Sequence, residues 1–177
     1  DTKLYITPSQ LTTGGNAADE TFSIILDKGE VYSVRSKEPK DFSGSKILSE
    51  QHPVAVFSGN VYAAIPEVPG ASMDHIFEQS VPLRYWGQKF AVTAAEHSNY
   101  NIFRVTAVYD NTIVTVNGEE KAVLKKYESY EGDFMGSAWV ETSRPTTCYS
   151  YFTSSGQNPP IKYNGKWINY GDPSMVY

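Results

Sequence analysis

Two Asn-Gly pairs constrain this chain more than any other feature. Asn117-Gly118 separates "TIVTV" from "EEKAVL", and Asn164-Gly165 separates "IKY" from "KWI". Both residue types tolerate positive φ, which two-residue primed turns require, so each pair predicts an antiparallel hairpin. Asp110-Asn111, between "IFRVTAVY" and "TIVTV", predicts a third tight turn. Phe103, Val105, Ala107 and Tyr109 fall on one face of "IFRVTAVY", and Arg104 and Thr106 on the other, the alternation of a half-buried strand. The runs "TFSIIL", "VYSVR", "KILS", "PVAVF", "KFAVTA", "SAWVE" and "TTCYSYFT" predict further strands, with Lys28-Gly29-Glu30 turning between the first two. Only "MDHIFEQS" and "KAVLKKYESYE" carry enough helix formers to predict short helices. The expected fold class is all-β, an antiparallel β-sandwich or two packed β lobes.

The stretch "HPVAVFSGN" (52–60) sets the central question. Val54 to Phe57 read as a buried strand, and Ser58-Gly59-Asn60 as its end, where a long loop from Val61 to Met73 begins. A faint internal repeat pairs "SEQHPVAVFSGN" (49–60) with "TSRPTTCYSYFTSSG" (142–156). The 177 residues therefore read as one β-rich module, with two pseudo-repeats of about 1–100 and 101–177 as a variant. The chain stops at Tyr177 after an apolar "MVY". The expectation is that it continues in the parent protein or that its last strand pairs with a neighbour's sheet edge, a route to self-association.

Composition excludes several partners. Net charge is −5 and the cations are scattered, which speaks against nucleic acid and against polybasic membrane attachment. No run approaches the roughly 18 apolar residues of a spanning helix, so no direct membrane insertion is expected. The single Cys148 cannot form an internal disulfide, and its expected state is a buried, inert thiol. No Asn-X-Ser/Thr acceptor occurs, which fits a bacterial envelope better than an animal secretion.

The residues from 53 to 90, "PVAVFSGNVYAAIPEVPGASMDHIFEQSVPLRYWGQKF", resemble the signature of the IgGFc-binding protein N-terminal domain family. In that pattern a strand ending in Phe-Ser/Ala-Gly-Asn precedes a loop, then Asp-His-Leu-x-Glu-Gln, then Trp-Gly-x-x-Phe. Here Phe57, Ser58, Gly59, Asn60, Asp74, His75, Glu78, Gln79, Pro82, Trp86, Gly87 and Phe90 match it. "RVTAVYDNTIVTVNG" (104–118) and "GDPSMVY" (171–177) resemble later parts of the pattern. The resemblance implies an extracellular module of mucin-like or bacterial surface proteins, with no catalytic set. It also implies a longer domain, since the family pattern runs past Gly-Asp-Pro-Ser-Met. The cysteine pair that many members carry around the loop before Asp-His is absent here.

The candidate chemistry is sparse. Asp74, His75 and Glu78 offer carboxylates beside an imidazole, but no nucleophile elbow accompanies them, and adjacent residues of a strand face opposite ways. A carbohydrate hydrolase using Asp74 and Glu78 as its acid–base pair is the enzymatic alternative. The favoured reading makes Asn60, Asp74, His75, Glu78, Gln79, Trp86 and Gly87 structural anchors of the long loop, because buried polar groups are paired. His52, His75 and His97 lack zinc spacing and no Asp-x-Asp-x-Asp-Gly loop exists, so neither metal nor cofactor is expected. Trp86 and Trp139 read as core, with Gly87 giving Trp86 room or a positive φ. Tyr62, Tyr163, Trp167 and Tyr170 are the candidate ligand contacts. The expected function is a non-catalytic binding or adhesion module for a protein or glycan. The alternative is an assembly unit that joins copies by strand exchange.

Overall fold

The computed structural model describes residues 1–94, 98, 100–158, 160–169, 171 and 173–176. Half of it is strand, and no α-helix occurs among the described residues. The chain divides into two compact units, Asp1–Ala55 and Val56–Tyr177.

In the first unit, β1 (Thr2–Thr7) lies between β2 (Phe22–Leu26) and β3 (Lys46–Ser49), antiparallel to both. Leu4 and Ile6 alternate inward along β1 and are buried. The predicted strand "VYSVR" does not form. Only its end is tied down: the Arg35 carbonyl accepts the Thr13 N–H at 2.9 Å and the Lys37 N–H donates to the Leu11 carbonyl at 2.8 Å, around an isolated bridge between Thr12 and Ser36.

The second unit begins with a hairpin, β4 (Phe57–Ala63) and β5 (Asp74–Gln79). A 3-10 turn, Leu83–Tyr85, leads into β6 (Gly87–Thr93). Then follow β7 (Asn101–Ala107), β8 (Thr112–Val116), β9 (Glu119–Leu124), β10 (Ser129–Phe134) and β11 (Ser137–Phe152). A second hairpin, β12 (Ile161–Tyr163) and β13 (Lys166–Ile168), and a last strand, β14 (Ser174–Val176), complete it. Both Asn-Gly hairpins form as the sequence predicts. Asn117 and Gly118 have φ of 51° and 83°, and Asn164 and Gly165 have φ of 48° and 78°.

Sixteen-residue β11 organises the curled main sheet. Thr146 pairs with Gly87 of β6 and with Ala107 of β7, while Val140 pairs with Phe90 of β6 and with Val116 of β8. A strand residue has one neighbour on each side. Strand β6 therefore borders one edge of β11, and β8 and β7 follow one another along the other. The register slips between Glu141 and Thr146, where Pro145 sits. Proline has no N–H to give a ladder and is confined to such irregularities or to edges. "SAWVE" and "TTCYSYFT" are thus the two arms of one bent strand. Thr142 Oγ1 donates to the Arg144 carbonyl at 2.8 Å, and the Ile113 N–H donates to Ser143 Oγ at 2.9 Å, which hold the bend.

The core lies on one face of this sheet. Phe103, Val105, Ala107, Val114 and Val140 are fully buried, joined by Val92, Leu124, Phe134, Ala138 and Cys148. Phe103, Val105 and Ala107 face inward as the alternation predicts, whereas Tyr109, read onto the same face, lies past the end of β7 and is 48% exposed.

Several expectations are corrected. "DHIFEQ" is β5, not a helix: its carboxylates and amides are compatible with either state, and pairing with β4 decides. "KAVLKKYESYE" is not a helix either. Ala122 and Leu124 alternate inward along β9, a turn occupies 125–128, and β10 follows. The apolar run 53–56 is not a strand, and Ser58-Gly59-Asn60 lie inside β4 rather than ending it. Asp110-Asn111 turns as predicted, with Asn111 at φ 56°, and the strands it joins share an edge of β11. Trp139 is not core. It stands between inward Ala138 and Val140, so the pleat turns it out, and it is 45% exposed.

Candidate functional site

The β4–β5 hairpin carries most of the residues singled out in the sequence. Phe57 pairs with Gln79 and Gly59 with Phe77. A Cβ on Gly59 would stand 1.9 Å from the Ile76 carbonyl oxygen, so only glycine allows the strands this approach. On the outward face, the Phe57 and Phe77 rings lie 5.9 Å apart, and His75 stacks on Phe77 at 6.4 Å. Pairing of Asn60 with Ile76 and of Ala63 with Asp74 leaves one extra residue in β4, a bulge that contains exposed Tyr62. Asn60 Oδ1 accepts the Tyr62 N–H at 3.0 Å across it.

Asp74 and His75 do meet, although neighbours on a strand were expected to diverge. Asp74 Oδ1 accepts the His75 N–H at 2.7 Å and lies 3.0 Å from Nδ1. Glu78 Oε1 accepts the Gln79 N–H at 2.9 Å. Asp74 and Glu78 share a face but are four residues apart on a strand, about 13 Å of rise. Paired glycosidase carboxylates stand roughly 5–9.5 Å apart. Among the described residues no serine hydroxyl bonds His75. Ser80 Oγ instead lies 3.0 Å from Ser58 Oγ. No group of three or more metal-ligating side chains occurs among the described residues.

Two ties of the loop 64–73 come from residues that the sequence does not flag. The Ile65 N–H donates to Ser154 Oγ and the Ser154 N–H to the Ile65 carbonyl, both at 2.8 Å. The Ser155 N–H donates to Ser72 Oγ at 2.8 Å. No local pattern could have marked these serines, because the partners are more than 80 residues apart.

Half-buried Trp86 donates its Nε1–H to the Val81 carbonyl at 2.9 Å. Gly87 does not adopt positive φ. The Phe90 ring lies 3.5 Å from where its Cβ would be. Cys148 is buried in the main core, and burial pushes its thiol up to about 12.

The β12–β13 hairpin is exposed throughout residues 162–169. Trp167 is 69% exposed opposite Lys162, and Tyr163 is 64% exposed opposite Lys166. The candidates Tyr170 and His97 lie outside the described residues.

A family model described as IgGFc binding protein matches residues 1–177, the whole chain. No curated protein and no solved structure matches.

Proposed function

The chain belongs to the IgGFc-binding family, and from that premise we propose that it is a non-catalytic, extracellular binding module of a larger secreted or cell-surface protein. Its ligand is a protein or a glycan, met by outward aromatics. The observation that carries this reading is the β12–β13 hairpin, where Trp167 and Tyr163 stand in solvent beside a two-residue turn. Tryptophan and tyrosine supply large contact area at low conformational cost and dominate binding hot spots. Exposing both without a partner forfeits burial worth about 1.5–3 kcal/mol for a large apolar side chain.

The test presents the immobilised chain to antibody Fc fragments and to a glycan array, then repeats the successful arm with Trp167→Ala. A loss of at least about tenfold in affinity is expected. Unchanged affinity in a normally folded variant overturns the role of the hairpin.

A further inference from the structure

The bend in β11 creates a second surface. Because β8 and β7 abut β11 in tandem, the turn that joins them, residues 108–111, is carried to the bend, beside Arg144. The turn between β9 and β10 and Leu83 supply the rest of the lining. Together they line an open surface hollow of about 510 Å³. Its walls include two tyrosines, each with a cation over its face. The Arg144 guanidinium is 5.8 Å from the Tyr109 ring centre, and the Lys126 ammonium 4.9 Å from that of Tyr127. Neither cation has an ion-pair partner among the described residues. In a chain of net charge −5 this is a local concentration of positive charge.

The hollow is built rather than incidental. Asp110 Oδ1 accepts the Lys126 main-chain N–H at 3.0 Å, which locks the two turns together. Tyr127 takes φ of 70°, a conformation that bulky side chains avoid and that persists only where surroundings impose it. Here the Tyr127 N–H donates to the Ala107 carbonyl at 2.9 Å, and the Ala107 N–H donates to the Glu128 carbonyl at 3.0 Å. These bonds hold the strained residue beside the hollow.

We propose that this hollow binds an acidic sugar, a carboxylate-bearing residue of a glycan such as a sialic or hexuronic acid. Arg144 offers the planar fork that matches a carboxylate, and Lys126 adds a second positive charge. Tyr109, still 48% exposed beneath Arg144, leaves ring surface to meet the apolar C–H face of a pyranose. Asp110 and Asn111 also line the hollow, and a carboxylate and an amide are the groups that ring hydroxyls bond. An Asp- or Glu-rich peptide brings several carboxylates to a lining that already holds Asp110, whereas an acidic sugar brings one carboxylate for the cations and hydroxyls that can donate to Asp110, so the mixed lining favours the sugar.

The inference rests on the binding-module reading and assigns a ligand class to a surface apart from the β12–β13 hairpin. The test titrates the full chain by NMR with sialyllactose, a glucuronic-acid-capped disaccharide, lactose and a polyglutamate peptide. At least one acidic sugar should bind about tenfold or more tighter than lactose, and tighter than the peptide. Arg144→Ala should remove about tenfold of that affinity, and Arg144→Lys should restore only part, because the charge returns without the fork. Tyr109→Ala should weaken binding, and raised salt should weaken it further. Tryptophan fluorescence checks that each variant is folded. Equal binding of lactose and the acidic sugars, preference for polyglutamate, or full affinity in folded Arg144→Ala each overturn the proposal. Trp167-dependent capture in the earlier experiment would then still stand, so failure here is distinguishable from failure of the module reading.

Discussion

Gly132→Ala should destabilise the second unit although it adds only one methyl group. Gly132 lies on β10 directly opposite Phe103 on β7. A Cβ at Gly132 would stand 2.6 Å from Phe103 Cζ and 2.7 Å from Cε1. The ring cannot step aside. Phe103 is fully buried, with the Tyr130 and Phe134 rings 6.0 and 6.1 Å away. Overpacking of this kind costs about 1–3 kcal/mol, and the entropy saved by removing a strand glycine returns about 0.5 kcal/mol. The net loss is about 0.5–2.5 kcal/mol. At a urea dependence of about 2 kcal/mol/M, usual for small domains, this lowers the midpoint by roughly 0.2–1.2 M. All three tryptophans, Trp86, Trp139 and Trp167, fall in Val56–Tyr177, so their fluorescence reports this unit alone. Phe103→Leu shortens the ring and should relieve the clash. The double variant should therefore be more stable than the two single losses sum to, by about 0.5 kcal/mol or more. Wild-type stability in Gly132→Ala, together with strictly additive losses, would refute the packing argument.

Three other outcomes can be checked directly. Cys148 should resist iodoacetamide at pH 8–9 in the native chain and react once unfolded; its thiol, ordinarily near 9.0, is raised to about 12, so its contribution to stability is full below 9.0 and is lost as pH climbs toward 12. Gly59→Ala should break the β4–β5 pairing, seen as rapid amide exchange across Phe57–Gln79, because its methyl would collide with the Ile76 main chain; protected amides in that variant would count against the packing described. Arg104→Ala should cost only about 0.2–1 kcal/mol in urea unfolding, since Glu131, bonded by Arg104 Nε at 2.7 Å, remains in contact with water.

The legible parts of this fold are those that a few neighbouring residues decide. Both Asn-Gly turns are local matters of φ, and the alternation of Phe103, Val105 and Ala107 needs only a period of two. What misleads is whatever depends on a distant partner. "DHIFEQ" becomes a strand because β4 supplies a ladder, and "VYSVR" forms none because its end bonds residues 11–13 instead of a sheet edge. The run 53–56 looked like core from its side chains alone, yet only Val54 and Val56 are even half-buried. The candidate contacts Tyr62, Tyr163 and Trp167 were legible as aromatics beside turn residues. The hollow at Arg144 was not: its walls come from segments dozens of residues apart, and nothing in "SRPTT" announces a bend that gathers them. Tyr127 gave no signal either, since a tyrosine at positive φ contradicts its own preference.

The long strand β11 also fixes a timetable. Until residues 137–152 leave the ribosome, β6 has no partner, and the only ladders open to the sheet are β8 with β9 and β7 with β10, one nested inside the other. The nascent chain must therefore keep a loose double hairpin in waiting, with Phe103 and Val140 still apart. A chaperone that shields apolar strands would matter most in that interval, and a premature stop before residue 137 would leave the two hairpin ladders with no strand to join them.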